Sequence, residues 1–433
     1  MSLSDADLFR LLATMVLLLV AARLLGRLFA RFRQPPVVGE ILGGLLLGPT
    51  LFGLLAPEAQ RWLFPADGPV ASGLGLVYQL GMLLLMFVAG AEMRSVFSRR
   101  DTAAVTVIAV VGMALPLAAG LLAVRFVDLS ALAGPARDHT ALVLVLTAAL
   151  AVTSIPVISR IMLDLGIMQT WFARTVLSVA VLEDIVLNIL LAVALGLVNE
   201  DQGGGFGMTA LLHGQSTATV AGYHALASLL FFALALAAGR LQARDRPHRL
   251  TVGRTDDRVT AQVALTLAVT ALALLLGVAP MFAAFVVGLL VGSRDGESAA
   301  LATTRTFASA FFIPIYFAIV GLKLDLVHGL APGFTLAFLL FACLVKISSV
   351  YAGARLTGHG PVDAGNLAAA MNARGGPGIV MATLAYDAGI VSQQLFTALI
   401  LTAVATSLLA GALLDRAVAR GHLLPQIPEP AAP

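Results

Sequence analysis

Long apolar stretches alternate with short polar connectors along the whole chain. A helix needs about 20 consecutive apolar residues to cross the hydrocarbon core of a bilayer. The eighth and ninth of these stretches are joined only by Ala279-Pro280, so one of them is a candidate re-entrant segment. The pattern predicts an all-α polytopic membrane protein with thirteen spans, at residues 7–30, 36–55, 72–92, 102–126, 140–163, 171–198, 218–240, 259–276, 279–294, 303–326, 331–356, 364–389 and 393–418.

Composition supports this class of protein. Of the 433 residues, 59% are hydrophobic and only 12% are charged, whereas an average soluble protein has about 25% charged residues. These values exclude soluble enzymes, nucleic-acid-binding proteins and secreted disulfide scaffolds. The first apolar run is longer than a signal-peptide core and is followed by no small-residue cleavage site, so we interpret it as a spanning helix.

The basic residues predict an orientation. Of 27 Lys and Arg residues, 20 lie in connectors after odd-numbered spans or at the C-terminus, and 5 lie on the opposite side. Because cytoplasmic loops are enriched in basic residues, we expect an external N-terminus and a cytoplasmic C-terminus in the cell membrane. The remaining two basic residues, Lys346 and Arg374, fall inside predicted spans.

Buried charges mark the candidate site. Glu183 and Asp184 lie in the middle of the sixth span, Lys346 in the eleventh and Arg374 in the twelfth. Each costs roughly 2.5–3.5 kcal/mol at mid-bilayer, so each needs a partner, water or a protein interior. Adjacent residues of a helix point about 100° apart, so one carboxylate can face a cavity while the other faces a neighbouring helix.

A carboxylate in such a cavity can release a proton and accept a cation in turn. Lys346 is a candidate internal counter-ion. Asn188 follows Asp184 by four residues and shares its helix face, where its amide could orient the carboxylate or a hydrated ion. The alternative is a set of paired structural charges that fix helix register.

Two spans contain residues that break helices. Proline removes a backbone donor and glycine weakens a helix, so both segments should be partly unwound at membrane depth. The alternative for the first segment alone is a simple proline kink. The residues are Thr153, Ser154 and Pro156 in the fifth span, and Arg374, Gly375, Gly376, Pro377 and Gly378 in the twelfth.

The positions of the two breaks predict an internal repeat. The fifth and twelfth spans cross the membrane in opposite directions, and each neighbours a span with buried charge. This is the pattern of an inverted-topology repeat, with the seventh span as linker. Arg374 could neutralise the carbonyl ends of the broken helices, and Thr153 and Ser154 could cap the other break.

Four sequence blocks resemble a known family over nearly the whole chain. The sequence is similar to the bacterial monovalent cation/proton antiporters, in the branch that includes sodium/proton exchangers and glutathione-gated potassium efflux systems. The blocks are residues 34–41 (QPPVVGEI) with 48–50 (GPT), 81–93 (GMLLLMFVAGAEM), 283–288, and 311–326 (FFIPIYFAIVGLKLDL).

The resemblance implies a dimerisation scaffold, about 7–92 and 218–326, and a mobile core, about 102–198 and 331–418, joined in an elevator-like mechanism in a homodimer. Asp184 matches the ion-carrying aspartate of the family, Glu183 the position before it, and Lys346 the lysine that can pair there. Thr153 and Ser154 match the unwound crossover.

Two departures from the family pattern matter. Glu183 stands where charge-moving exchangers usually have aspartate and many electroneutral ones asparagine or glutamine, which leaves the stoichiometry open. We also expect no nucleotide-binding domain after the last span, and hence no regulation by NAD(H) or glutathione through such a domain.

The sequence thus predicts a proton-coupled antiporter for a monovalent cation, Na⁺ ahead of K⁺, with Asp184 binding cation and proton alternately. We expect no enzymatic activity, since the histidines are scattered without metal-ligand spacing, and we also expect no cofactor and no nucleic-acid partner. The expected partners are the cation, the proton, membrane lipid and a second copy of the chain. Alternatives are K⁺/H⁺ exchange, efflux of an organic cation or metabolite, and a channel-like cation pathway.

Overall fold

The computed structural model describes residues 3–32, 34–93, 102–168, 170–201, 207–212, 215–244, 255–292, 298–327 and 329–423. In these residues the regular structure is helical, apart from a β-bridge between Ala133 and Val391. A 3-10 helix covers Gly207–Leu212, and a π-helical turn covers Ala308–Phe312. The α-helices are α1 (Asp5–Arg31), α2 (Pro36–Leu47), α3 (Phe52–Leu55), α4 (Pro57–Leu63), α5 (Pro69–Met93), α6 (Thr102–Ala123), α7 (His139–Ala151), α8 (Ile155–Asp164), α9 (Trp171–Asp201), α10 (Thr217–Arg244), α11 (Thr255–Leu275), α12 (Pro280–Val291), α13 (Ala299–Phe307), α14 (Ile313–Leu322), α15 (Pro332–Leu356), α16 (Pro361–Met371), α17 (Gly375–Asp387) and α18 (Gln393–Ala419).

The predicted all-α class is confirmed, and helical segments lie at all thirteen predicted spans. Nine helical stretches of the described residues are long and apolar enough to cross a bilayer. The number of crossings therefore stays a prediction. Some of the basic residues used for orientation fall in 94–101 and 245–254, which lie outside the described residues.

Besides the two broken spans, three predicted spans differ from the helices found. The second, 36–55, consists of the 12-residue α2 followed by the four-residue α3. The ninth, 279–294, is reduced to α12, whose 12 residues extend only about 18 Å at 1.5 Å per residue. The tenth, 303–326, begins earlier, at Ala299, and contains the π-helical turn. Pro314 follows this turn and has no N–H to donate to the preceding turn, which explains the irregular bonding.

Glycines allow α2 and α14 to cross with their backbones in contact. A Cβ atom on Gly44 would lie 1.7 Å from the carbonyl oxygen of Ala318, and one on Gly321 would lie 1.9 Å from that of Ile41. No side chain larger than hydrogen fits at either position.

The crossing of α5 and α12 repeats this contact. A Cβ atom on Gly288 would lie 2.0 Å from the carbonyl oxygen of Phe87, and one on Gly90 would lie 2.0 Å from that of Phe285. Both crossings use two glycines, each three residues from the contacted carbonyl on its own helix. The two crossings are therefore equivalent residue by residue, and the internal repeat stays a prediction.

Contacts also give the relative direction of α2 and α14. Moving along α2 from Gly44 to Gly48, the contacted residue on α14 advances from Ala318 to Leu322. Thr50 Oγ1 then donates to the carbonyl oxygen of Leu324, at 2.9 Å. The two helices are parallel, as expected for the second and tenth of a series of alternating spans.

The predicted breaks lie next to each other, and each falls slightly earlier than the proline and glycine residues that predicted it. The chain leaves the helical conformation at 152–154, between α7 and α8, and at 372–374, between α16 and α17. Pro156 lies in the first turn of α8, and Gly375, Gly376, Pro377 and Gly378 form the first turn of α17. Proline is favourable there because first-turn N–H groups have no intrahelical partner.

Candidate ion-binding site

Arg374 binds the C-terminal end of α7. Its Nε donates to the carbonyl oxygen of Ala149 at 3.2 Å, and its Nη2 to that of Leu150 at 3.1 Å. Nη2 also donates to the carbonyl oxygen of Ala342 on α15, at 2.7 Å, and Nη1 to Oδ1 of Asn372, at 2.8 Å. The last carbonyls of a helix lack intrahelical partners and carry partial negative charge. The guanidinium neutralises this end and connects α7, α15 and the second break.

Ser154 binds the N-terminal ends of the other two half-helices. Its Oγ accepts hydrogen bonds from the N–H of Gly376 at 3.1 Å, in α17, and of Val157 at 3.4 Å, in α8. Its own N–H donates to the carbonyl oxygen of Ala373 at 2.6 Å. Ser154 and Arg374 therefore each connect one break to the helix ends of the other.

Gly375 makes this close approach possible. Its φ is +20°, and a Cβ atom there would lie 2.3 Å from Cγ2 of Val157 and 2.6 Å from Oγ of Ser154. Its N–H donates to Oγ of Ser407 on α18, at 3.1 Å. A side chain at this position would displace the serine that caps α17.

Glu183 and Lys346 form a fully buried ion pair. Lys346 Nζ lies 2.8 Å from Glu183 Oε2, and both side chains are 0% exposed. The ammonium also donates to the carbonyl oxygens of Ala151, at 2.5 Å, and Gly112, at 3.2 Å. Its three N–H groups are thus all used, one of them by the last residue of α7.

Thr153 joins this ion pair to the second break. Its hydroxyl oxygen lies 2.8 Å from Oε2 of Glu183 and 2.8 Å from the carbonyl oxygen of Met371, the last residue of α16. The hydroxyl has one proton, so it donates to one of these acceptors at a time. The Thr153 side chain therefore contacts both the Glu183 carboxylate and the C-terminal end of α16.

Asp184 faces a different environment from Glu183. It lines a cavity with Asn188 from its own helix, and among the described ion pairs none includes it. The other lining residues are apolar and come from four helices: Met86, Ala89, Ile155, Met281, Phe285, Pro377 and Val380. The adjacent carboxylates thus have separate surroundings, one held by a cation and one open to a cavity.

Three features of the site were not predicted from the sequence. Asn188 Nδ2 donates to the backbone carbonyl oxygen of Asp184, at 2.7 Å, a partner that differs from the carboxylate or hydrated ion suggested by the four-residue spacing. Sequence reasoning also missed the apolar wall formed by Met86, Met281 and Phe285, since apolar residues in an apolar span carry no distinguishing signal. Ser407 was missed as well, although a hydroxyl residue within the last span was visible in the sequence.

The Asp184 cavity offers few groups that could bind an ion. In the described residues no group of three or more His, Cys, Asp or Glu side chains is placed to hold a metal ion. The chemistry available in the cavity is one carboxylate beside one amide, which can bind a proton or a single monovalent cation.

A model of the family described as "Sodium/hydrogen exchanger, transmembrane" matches residues 15–420. The chain belongs to the sodium/hydrogen exchanger family. The predicted family is confirmed, and membership places the chain among transporters and not among enzymes, as the sequence predicted.

Several relatives resemble this exchanger-family chain over most of its length. It is 29% identical over 407 residues to the Na⁺/H⁺ antiporter NhaS4 of Synechocystis, covering 93% of this chain and 96% of the relative. It is 26% identical to the Na⁺/H⁺-K⁺ antiporter GerN of Bacillus cereus, covering 93% and 94%. It is 29% identical to K⁺/H⁺ antiporter 1 of Saccharomyces cerevisiae, covering 90% of this chain and spanning 44% of the yeast protein.

The fold agrees with a solved structure. The sodium proton antiporter MjNhaP1 of Methanocaldococcus jannaschii at pH 8 superposes with a TM-score of 0.61 at 14% identity, covering 96% of this chain and 98% of the other. At this identity the likeness concerns the fold. Crossed broken helices in a multi-pass membrane protein are therefore the architecture of this exchanger-family member.

Proposed function

We propose that the protein is a secondary active transporter that exchanges a monovalent cation, Na⁺ ahead of K⁺, for protons across the cell membrane, and that Asp184 carries each in turn. The observation that carries the proposal is the division between the two carboxylates. Glu183 is neutralised by Lys346, whereas Asp184 lines the cavity without an ion pair in the described residues.

The surroundings of Asp184 favour alternation over permanent binding. A charged group in a largely apolar site is costly unless it is neutralised. A bound proton or a bound cation each supplies one positive charge, so either neutralises the carboxylate. Release of one must be accompanied by uptake of the other, which couples the two fluxes.

The location of the cavity supports an elevator-type movement. Asp184, Ile155 and Pro377 belong to the predicted core, and Met86 and Phe285 to the predicted scaffold. The scaffold side of the cavity presents only apolar side chains, so it offers no hydrogen bond that would hold the core in one position. The core can therefore slide along this wall while the ion stays on Asp184.

The names of two relatives support the proposed preference for Na⁺ over K⁺. Two relatives that this chain covers over 94% or more of their length carry Na⁺ in their names, and one of these also carries K⁺. We further propose a homodimer through the scaffold helices, an external N-terminus, a cytoplasmic C-terminus, and no cofactor besides the transported ions.

Exchange in everted vesicles tests the role of Asp184. In Asp184→Asn the amide cannot release a proton, so cation-dependent dequenching of a pH-sensitive dye should disappear. The matched control is Asp415→Asn, which removes an exposed carboxylate of α18 and should exchange at the parental rate. Dequenching that survives in Asp184→Asn would exclude this residue as the carrier.

A second assay separates the remaining possibilities. The rate of exchange by purified protein in proteoliposomes is measured with Na⁺, K⁺ and Li⁺ in turn, each with and without an imposed voltage. Exchange that depends on voltage means net charge movement, and exchange that does not means one cation for one proton. Cation flux without proton flux would indicate a channel and contradict the proposal.

A further inference from the structure

A polar cluster connects the predicted scaffold and the predicted core, which we call the two halves of the molecule. Lys323 Nζ lies 2.6 Å from Asp387 Oδ1 and 4.3 Å from the centre of the Tyr78 ring. Tyr78 OH donates to Asp387 Oδ2 at 3.2 Å. Tyr78 also stacks on Tyr316, with ring centres 5.1 Å apart. We call Tyr78, Tyr316, Lys323 and Asp387 the tyrosine cluster.

Members of the tyrosine cluster come from both halves. Tyr78 lies on α5, Tyr316 on α14, and Lys323 directly follows α14, all within the predicted scaffold. Asp387 is the last residue of α17, in the predicted core. Gln393 of α18 adds a second polar link, because its Nε2 donates to the carbonyl oxygen of Lys323 at 2.9 Å. The carboxylate of Asp387 therefore binds Tyr78 and Lys323 across the boundary.

The tyrosine cluster lies along the boundary from the Asp184 cavity. On α5, Tyr78 precedes the cavity residue Met86 by eight positions, about 12 Å along the helix. On α17, Asp387 follows the cavity residue Val380 by seven positions, about 10 Å along that helix. The cavity and the cluster thus lie about two turns apart on each helix, and the stacked Tyr78 and Tyr316 rings and the Lys323–Asp387 ion pair form the contacts at the cluster.

The contacts of the tyrosine cluster depend on the relative position of α5 and α17. Hydrogen bonds and close ion pairs weaken steeply beyond their usual distances. Sliding of α17 along α5 by one turn, about 5.4 Å, would break the Lys323–Asp387 and Tyr78–Asp387 contacts together. The ion pair is partly exposed, at 27% and 30%, so water can solvate both charges once they separate.

We propose that the tyrosine cluster is a gate that closes the Asp184 cavity on the side predicted to be external and opens once in each transport cycle. The proposal rests on the proposed exchange function and names the residues that stabilise the closed state of the transporter. In the closed state Lys323 and Asp387 are paired, and Tyr78 covers the approach to the cavity. In the open state the core has moved away from α14, and Asp184 is accessible from that side.

Cross-linking across the gate tests the proposal. Lys323→Cys and Asp387→Cys are combined in a Cys343→Ala background, which removes the single native cysteine. Exchange is measured in proteoliposomes with the pair reduced and then with the pair cross-linked. We expect cross-linking to lower exchange at least tenfold and a reductant to restore it.

The matched control is a cross-link within one half. Ser392 Oγ donates to the carbonyl oxygen of Ala131 at 2.9 Å, and both residues lie within the predicted core. Cross-linked Ala131→Cys/Ser392→Cys should exchange like its reduced form. If the Lys323–Asp387 cross-link likewise left exchange unchanged, the gate would be refuted, while exchange in the reduced pair would leave the proposed function standing.

Thiol labelling gives a readout that does not depend on transport. A cysteine introduced at Met86, in the cavity, is reacted with a membrane-impermeant maleimide added from the external side, with and without Lys323→Met. Opening the gate should raise the labelling rate at least tenfold, whereas a cysteine at the exposed Arg125 should label equally in both. Equal labelling of Met86→Cys in both backgrounds would contradict the gate.

Discussion

At the scale of single residues, the buried charges are neutralised in different ways. Lys346 gives one N–H to Glu183 and two to backbone carbonyls, and Arg374 donates mainly to backbone carbonyls around the breaks. Asp184 takes part in none of the ion pairs among the described residues. The two cations therefore stabilise the crossing of the broken helices, and the Asp184 carboxylate remains for the role we propose for it.

Removing Lys346 should destabilise the protein strongly. Lys346→Met leaves Glu183 buried without its cation, which typically costs about 3–5 kcal/mol. Adding Glu183→Gln removes the unpaired charge, so the double variant should lose less stability than the two single losses combined. Thermal unfolding of the purified protein measures the coupling, and Arg416→Met, at an exposed position of α18, is the control. Additive losses would show that the two side chains do not interact.

Competition at Asp184 should make cation affinity depend on pH. A proton and a cation that share one carboxylate compete by mass action. The apparent KM for Na⁺ should therefore rise as pH falls, approaching about tenfold per pH unit once the carboxyl is mostly protonated, with an unchanged maximal rate. Initial exchange rates over a grid of pH and Na⁺ concentration give both quantities. A KM that does not change with pH would exclude a shared site.

At the scale of elements, each broken helix has its unwound residues just before the proline and glycine residues. Residues 152–154 and 372–374 are extended or turn-like, and the second half-helices begin directly after them. Glycine and proline thus mark where a new helix begins. The sequence located the breaks to within one turn because several of these residues occur together, where proline lacks the N–H that a helix interior uses and glycine weakens a helix.

Two neighbouring glycines of α17 should respond differently to alanine. Gly375→Ala places a Cβ atom 2.3 Å from Val157 Cγ2 and 2.6 Å from Ser154 Oγ, whereas a Cβ atom on Gly376 meets nothing within 4 Å. We expect Gly375→Ala to lower stability by about 1–3 kcal/mol and to reduce exchange. Gly376→Ala should keep exchange and gain up to about 1 kcal/mol. Unfolding temperature and vesicle exchange measure both, and equal behaviour of the two variants would contradict the proposed packing of the crossover.

At the scale of the whole molecule, two pairs of helices, α2 with α14 and α5 with α12, cross through equivalent glycine contacts. The contact of Gly44 with Ala318 corresponds to that of Gly288 with Phe87. Such crossings bring backbones closer than larger side chains allow, which is a common way to join helices in lipid. They hold α2 against α14 and α5 against α12, all within the predicted scaffold.

Equivalent substitutions in the two crossings should have similar effects. Gly44→Ala and Gly288→Ala each place a Cβ atom within 2.0 Å of a carbonyl oxygen, whereas a Cβ atom on Gly75 of α5 meets nothing within 4 Å. Both buried variants should lose about 1–3 kcal/mol or more, seen as less folded protein by size-exclusion chromatography in detergent. Gly75→Ala should match the parent. A normal yield for only one of the two crossings would contradict their equivalence.

The sequence by itself determined the helical membrane class, the places of the breaks and the short list of buried charges. These features are local, because span length, helix breakers and the cost of a charge in lipid depend on neighbouring residues alone. Only the tertiary structure decided that Lys346 neutralises Glu183, that Asn188 binds a backbone carbonyl, that Met86 and Phe285 face Asp184, and that Lys323 meets Asp387. These partners lie on different helices or depend on how a helix is turned, so packing of the whole chain selects them.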